Sequence, residues 1–110
     1  MAKYEKHFKG DFYTVLSQIN HGILSNSMSA SYEDGSDWTN GNIRCAVRVY
    51  ERYSMIGGNR VSMNVTLVGN SDDLFLSAIT SGGSQAVIFK LNTFGEEAFL
   101  DCIKDIMSQY

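Results

Sequence analysis

Two histidines and two cysteines head the residues of this chain whose chemistry could be catalytic. His7 and His21 both lie near its start, and His21 falls off the Val15–Ile19 stripe, so it reads as a surface residue. Cys45 and Cys102 stand alone, without the CxxC spacing of a zinc site. A Cys45–His dyad would need a thiolate. The periodicity below puts Cys45 on a core face, where apolar surroundings raise a thiol's pKa and blunt it. Asp72-Asp73 and Glu96-Glu97 are adjacent pairs, explained by a turn and by a helix start. In "EDGSDWTNGN", Asp34, Asp37 and Asn40 faintly resemble a calcium loop, but the ligand spacing of an EF-hand is not met. "SGGSQ" at 81–85 could form an anion nest, although a hairpin turn explains both glycines without one. No GxSxG, HExxH, GxGxxG or GxxxxGK[ST] motif occurs. No catalytic, cofactor-binding or metal-binding residue is assigned, and the chain is expected to act by binding rather than as an enzyme.

Arg44, Arg48 and Arg52 in "IRCAVRVYERY" recur every four residues. That spacing lines one face of a helix or, being even, one face of a strand. The β-branched and aromatic content favours a strand. Ile43, Cys45, Val47 and Val49 then share one face, and the arginines share the other with Tyr50. Successive arginines on a strand lie ~13 Å apart, too far for all three to grip one small anion. They form either a solvated strand face with cross-strand ion pairs or a contact for an acidic partner or ligand head group.

The elements that carry these residues can be read from spacing and turn chemistry. "KYEKHFK" alternates and predicts a short edge strand. Phe12, Val15, Leu16, Ile19, Ile23 and Leu24 predict a helix that Asp11 caps. "SMSASYE" alternates like a strand. A polar loop follows, with an Asn40-Gly41 hairpin turn, and Trp38 in it is either tucked on the sheet edge or a contact residue. A three-residue loop at Ile56-Gly57-Gly58 pairs Tyr53 with Val61, Val49 with Val65 and Val47 with Leu67. A turn at Ser71-Asp72 pairs Leu67 with Leu76 and Val65 with Ala78. A Gly82-Gly83 turn then pairs Ala78 with Val87, Leu76 with Phe89 and Leu74 with Leu91. Thr93 and Glu96 form a capping box for a C-terminal helix, whose stripe includes Phe99, Cys102, Ile103, Ile106 and Met107.

The expected fold is α+β: an antiparallel meander of five or six strands, flanked by an N-terminal helix and a long C-terminal helix, in one domain over residues 1–110. A sheet covered on one side should be polar on the other. Here Phe75, Ile79, Ala86 and Ile88, bordered by Val68 and with Tyr50 further across, break that rule. Three explanations stay open. The helices split so that both faces are core; or the face is a homodimer interface; or an apolar ligand sits between a curled sheet and the C-terminal helix, among Val47, Val65, Leu76, Phe89, Phe99, Ile103 and Ile106.

Composition narrows the classes further. With 110 residues and 44% hydrophobic content, a single packed core is expected. A net charge of −3 argues against nucleic acid as the main partner. No apolar run suggests a secretory leader or a membrane span, so a cytoplasmic protein with reduced thiols is expected. There is no proline, so glycine and asparagine must make the turns.

Two segments, "NGNIRCAVRVYERYSMIGGNRVSMNVTL" and "LSAITSGGSQAVIFKLNTFGEEAFLD", resemble a family of small bacterial proteins of unknown function, of the Firmicutes type. The resemblance covers nearly the whole chain and implies a free-standing bacterial domain, with no activity to transfer. The order of elements also resembles a reduced helix-grip fold, which often holds an apolar ligand between sheet and C-terminal helix. The expected function is a binding or protein-interaction module, homodimeric through the outer face of the last strands. The alternative is a carrier of a small apolar ligand.

Overall fold

The first 26 residues fold as their spacing predicts. Strand β1 (Ala2–Lys9) leads into helix α1 (Phe12–Asn26). Asp11 is the N-cap: the Thr14 backbone N–H donates to Asp11 Oδ2 at 3.0 Å, and the Thr14 hydroxyl donates to the same oxygen at 2.8 Å. These bonds hold the Asp11 carboxyl below the usual carboxylate range. Strands β2 (Ser31–Asn40), β3 (Ile43–Tyr53), β4 (Arg60–Asn70) and β5 (Asp73–Gly82) follow, then helix α2 (Phe89–Met107). The structure is a computed structural model and describes residues 1–26, 29–53, 60–82 and 89–110, with side chains at all of these except 89–94.

The fold is α+β. Five strands form one antiparallel sheet in the order β1-β5-β4-β3-β2. The meander runs from β2 to β5, and β1 closes the far side by pairing Ala2 with Thr80 through Lys9 with Asp73. The strand expected over the last part of the meander is not there at its described end: Phe89 and Leu91 lie in α2, which starts four residues before the expected cap Thr93. The partner that β5 needs is supplied by β1 instead. The expected Gly82-Gly83 turn, Ala86 and Ile88 fall wholly or partly outside the described residues.

Two turns fix the register, and one of them was foreseen. At Ser71-Asp72 the chain reverses with Ser71 at φ 55°, setting Leu67 opposite Leu76 and Val65 opposite Ala78 as expected. The β2–β3 turn is Gly41-Asn42, one residue on from the expected pair, since Asn40 is opposite Ile43. Gly41 has φ 60°, a conformation that costs other residues a Cβ clash.

The β3–β4 register differs from the expected one by a single residue. Tyr53 is opposite Arg60, Tyr50 opposite Met63 and Ala46 opposite Leu67. A one-residue slip exchanges the faces of a strand. Arg44, Arg48 and Arg52 therefore point to the helix side with Ala46 and Tyr50, while Cys45, Val47 and Val49 point to the other. Alternation misled here because β3 is apolar on both faces. Two of the three arginines fit the covered side with their guanidinium groups on rings at its margin, and Arg48 fits it on an ion pair with Asp37. Arg44 lies 5.4 Å from the Tyr13 ring and Arg52 4.8 Å from the Phe99 ring.

The core lies between the helices and one sheet face. Phe12, Val15, Ile19 and Ile23 of α1 and Phe99, Leu100, Ile103 and Met107 of α2 meet Val61, Met63, Val65, Leu67, Leu74, Leu76 and Ala78. The two helices touch closely at Gly22, where an added Cβ would lie 2.5 Å from Ile106 Cδ1. Lys6 donates to the Met107 carbonyl at 3.0 Å and so places a cation at the C-terminal end of α2, where the helix dipole favours it.

Candidate functional site

Both helices are on one side of the sheet, which leaves two surfaces to consider: the margin of the helix side over β2 and β3, and the whole opposite face. At the margin, α1 and the sheet edge enclose a cleft of about 450 Å³ lined by Tyr13, Leu16, Ser17, Asn20, Leu24, Tyr32 and Arg48. The α1 residues are neighbours because they recur at three- and four-residue steps beside the core stripe. Tyr32 reaches the cleft because β2 carries a bulge between Tyr32 and Asp34. The extra residue, Glu33, resets the alternation and turns Tyr32 to the helix side opposite Tyr50. The two rings meet edge to face at 5.8 Å.

Arg48 is held by three acceptors. Its Nη1 donates to the Val47 carbonyl at 2.9 Å and the Ser36 carbonyl at 3.3 Å, and its Nη2 to Asp37 Oδ1 at 2.8 Å. Below it Tyr50 is fully buried and donates its hydroxyl to Asn20 Oδ1 at 2.8 Å. Burial pushes the Tyr50 phenol up to about 12, against a smaller opposing pull from Arg48. Tyr50 is thus a core residue with one polar bond and no part of the outer face that the sequence suggested for it.

Among the described residues no helix lies on the opposite sheet face. Trp38, Ile43, Val68, Phe75 and Ile79 are all exposed there, by 58, 40, 36, 40 and 39%. Phe75, Ile79 and Val68 lie where sequence reasoning placed them. Trp38 belongs to strand β2 and stands on this face, in a strand and not in the loop expected. Cys45, expected in the core, is half-buried on the open face beside Trp38 and Val68. The ladders align these residues into rows that cross all five strands. One row reads Trp38, Cys45, Val68, Phe75, His7, and another reads Asp34, Val49, Asn64, Ile79, Lys3.

The groups with nucleophilic or acid–base potential are dispersed. His7 Nε2 lies 2.6 Å from Asp73 Oδ1 on the exposed β1 side. The Cys102 thiol is pushed up by burial, with nearby Arg52 pulling it back. Where sequence reasoning placed an apolar ligand, Val65, Leu76, Phe99 and Ile103 fill the space between sheet and α2 and are themselves core. The cleft residues Tyr13, Leu16, Ser17, Asn20, Leu24 and Tyr32 were missed as a site. Leu16, Asn20 and Leu24, four residues apart next to the core stripe, were the signal available for them.

The chain belongs to a family of unknown function, DUF6054, whose family model matches residues 1–110. A search of curated proteins returned no match. Among the described residues no helix is long and apolar enough to cross a membrane.

Proposed function

We propose that this protein works by binding rather than catalysis, as a homodimer in which two open sheet faces stack. The observation that carries the reading is the uncovered apolar row through Trp38, Val68 and Phe75. Exposed apolar patches of this extent mark contact surfaces. The sheet face measures ~24 Å by ~34 Å from standard strand spacing and rise, or ~800 Å². That is about the area one partner contributes to a stable interface.

The rows fit a second copy. β4 is the middle strand. A two-fold axis running along β4, between two sheets, lays each row on its own reverse. Trp38 of one copy then lies over His7 of the other, Cys45 over Phe75, and Val68 over Val68. In the other row Asp34 lies over Lys3 and Val49 over Ile79. Asp34 and Lys3 then meet as opposite charges at the margin, Val68 and Asn64 each meet their own copy at the axis, and Val49 meets Ile79 beside it, as a self-complementary interface allows.

The test is mass measurement by light scattering across a hundredfold range of concentration. The wild-type chain is expected to be a dimer. Val68→Asp puts two carboxylates face to face at the axis, and Phe75→Asp puts one in each half, so each variant is expected to be a folded monomer by circular dichroism. Lys3→Asp should weaken the dimer and Lys3→Asp with Asp34→Lys should restore it. A wild-type monomer, or a Val68→Asp chain that stays dimeric, would sink the reading.

A further inference from the structure

The cleft beside α1 has the composition of a ligand site, and it lies on the sheet face opposite the proposed dimer interface. It stays open whether or not two copies stack, so it stands on its own observations.

Three features of the chain go into making it. The β2 bulge aims Tyr32 inward. Gly35, inside β2, makes room for the Tyr32 side chain: an added Cβ would lie 2.5 Å from Tyr32 Oη and 2.8 Å from the Val47 carbonyl oxygen. A glycine within a strand marks such a close approach, here that of the Tyr32 hydroxyl, which the missing side chain lets lie against the sheet. Tyr50, finally, anchors Asn20 in the lining: its hydroxyl donates to Asn20 Oδ1.

The lining specifies the ligand class. Tyr13, Leu24 and Tyr32 are exposed by 58, 38 and 47%, so ring and aliphatic surface faces solvent here without cover. Set between them are donors: the Ser17 hydroxyl, the Asn20 amide and the Arg48 guanidinium. Among the described residues Arg48 spends its bonds through Nη1 and one contact of Nη2, which holds the guanidinium plane still while N–H donors remain. A group fixed beforehand loses little freedom on binding. Asp37 offsets the charge of Arg48, and Asp11 stands near Arg44 at the start of α1, so the cleft is rich in donors more than in net charge. Its size falls within the ~300–1,000 Å³ of small-molecule sites.

We infer that the cleft lined by Tyr13, Asn20, Tyr32 and Arg48 binds a small planar aromatic carboxylate, its ring between the tyrosines and its carboxylate on Arg48 and Asn20. The probe is 2-naphthoate, titrated into isotope-labelled full-length protein while backbone amide signals are followed. Saturable shifts are expected at Tyr13, Ser17, Asn20, Tyr32 and Gly35, with a Kd below ~1 mM. Arg48→Met removes a charge-assisted contact and should weaken binding about tenfold. Ser17→Phe fills the cleft from an exposed helix position, without touching the core, and should abolish the shifts. The neutral probe 2-naphthylmethanol should bind about tenfold more weakly than 2-naphthoate. Shifts confined to the open face around Val68 and Phe75, no saturation by 2-naphthoate, an undiminished response in Ser17→Phe, or equal binding of the two probes would each overturn the inference.

Discussion

The helix side of the sheet is two regions with different physics. Over β1, β5 and β4 it is dry: Leu67, Leu74, Leu76 and Ala78 are fully covered by α1 and α2. Over β3 and β2 the same face carries Arg44, Arg48, Arg52 and Asp37, with Tyr32 and Gly35 between them, and of its residues Ala46 and Tyr50 alone are fully covered. Two helices do not cover five strands. The uncovered part is lined with side chains that satisfy themselves at a half-wet boundary: guanidinium groups on rings and a guanidinium on a carboxylate. The difference shows that a row of arginines can share a face with the core without being buried in it.

Three measurements sharpen or break that contrast. The largest effect is expected from Leu76→Ala in the dry region, at about 2–5 kcal/mol of stability by urea unfolding, against about 1 kcal/mol or less for Leu16→Ala at the cleft. Equal costs would mean that the cleft is as tightly packed as the core. Next is pH. Tyr50 has its phenol raised from 10.0 to about 12 in the folded protein. Its neutral form is therefore favoured on folding. The stability it contributes is complete below pH 10 and is lost as pH rises through 12. Tyr50→Phe should cost about 1 kcal/mol at neutral pH through the lost Asn20 bond and should flatten that alkaline fall relative to wild type. An unchanged alkaline slope in Tyr50→Phe would show that Tyr50 is not the group responsible. The smallest effect is expected at the helix contact. Gly22→Ala gains helix propensity but pushes on Ile106, for a net loss of about 1 kcal/mol. Combined with Ile106→Ala it should cost less than the sum of the two, since the clash is then gone.

Much of this was legible in the sequence and some was not, for reasons that can be named. Asp11, the α1 stripe, the β1 edge strand and the Ser71-Asp72 turn each rest on local chemistry, and each was readable. The face of β3 was not. Val47 and Val49 outweigh Ala46 in hydrophobicity, yet Ala46 and Tyr50 are in the core, because pairing across the β3–β4 ladder sets parity for the whole strand. The start of α2 was misplaced because "VIFKLN" alternates like a strand while its described part, Phe89 onward, is helical. Tertiary packing decides short apolar runs of that kind. The cleft was hidden for the same reason. It depends on a bulge and a glycine whose effects appear only once β2 is laid on β3.

The pairing of β1 with β5 has a consequence in time. Ala2 has to meet Thr80, so β1 has no sheet partner until β2, β3, β4 and β5 have all been made after it. At ~5–20 residues per second, synthesis keeps β1 and the apolar stripe of α1 waiting for ~4–16 s. For that time β1 is a strand without its ladder, and Phe8 and Phe12 have yet to find cover.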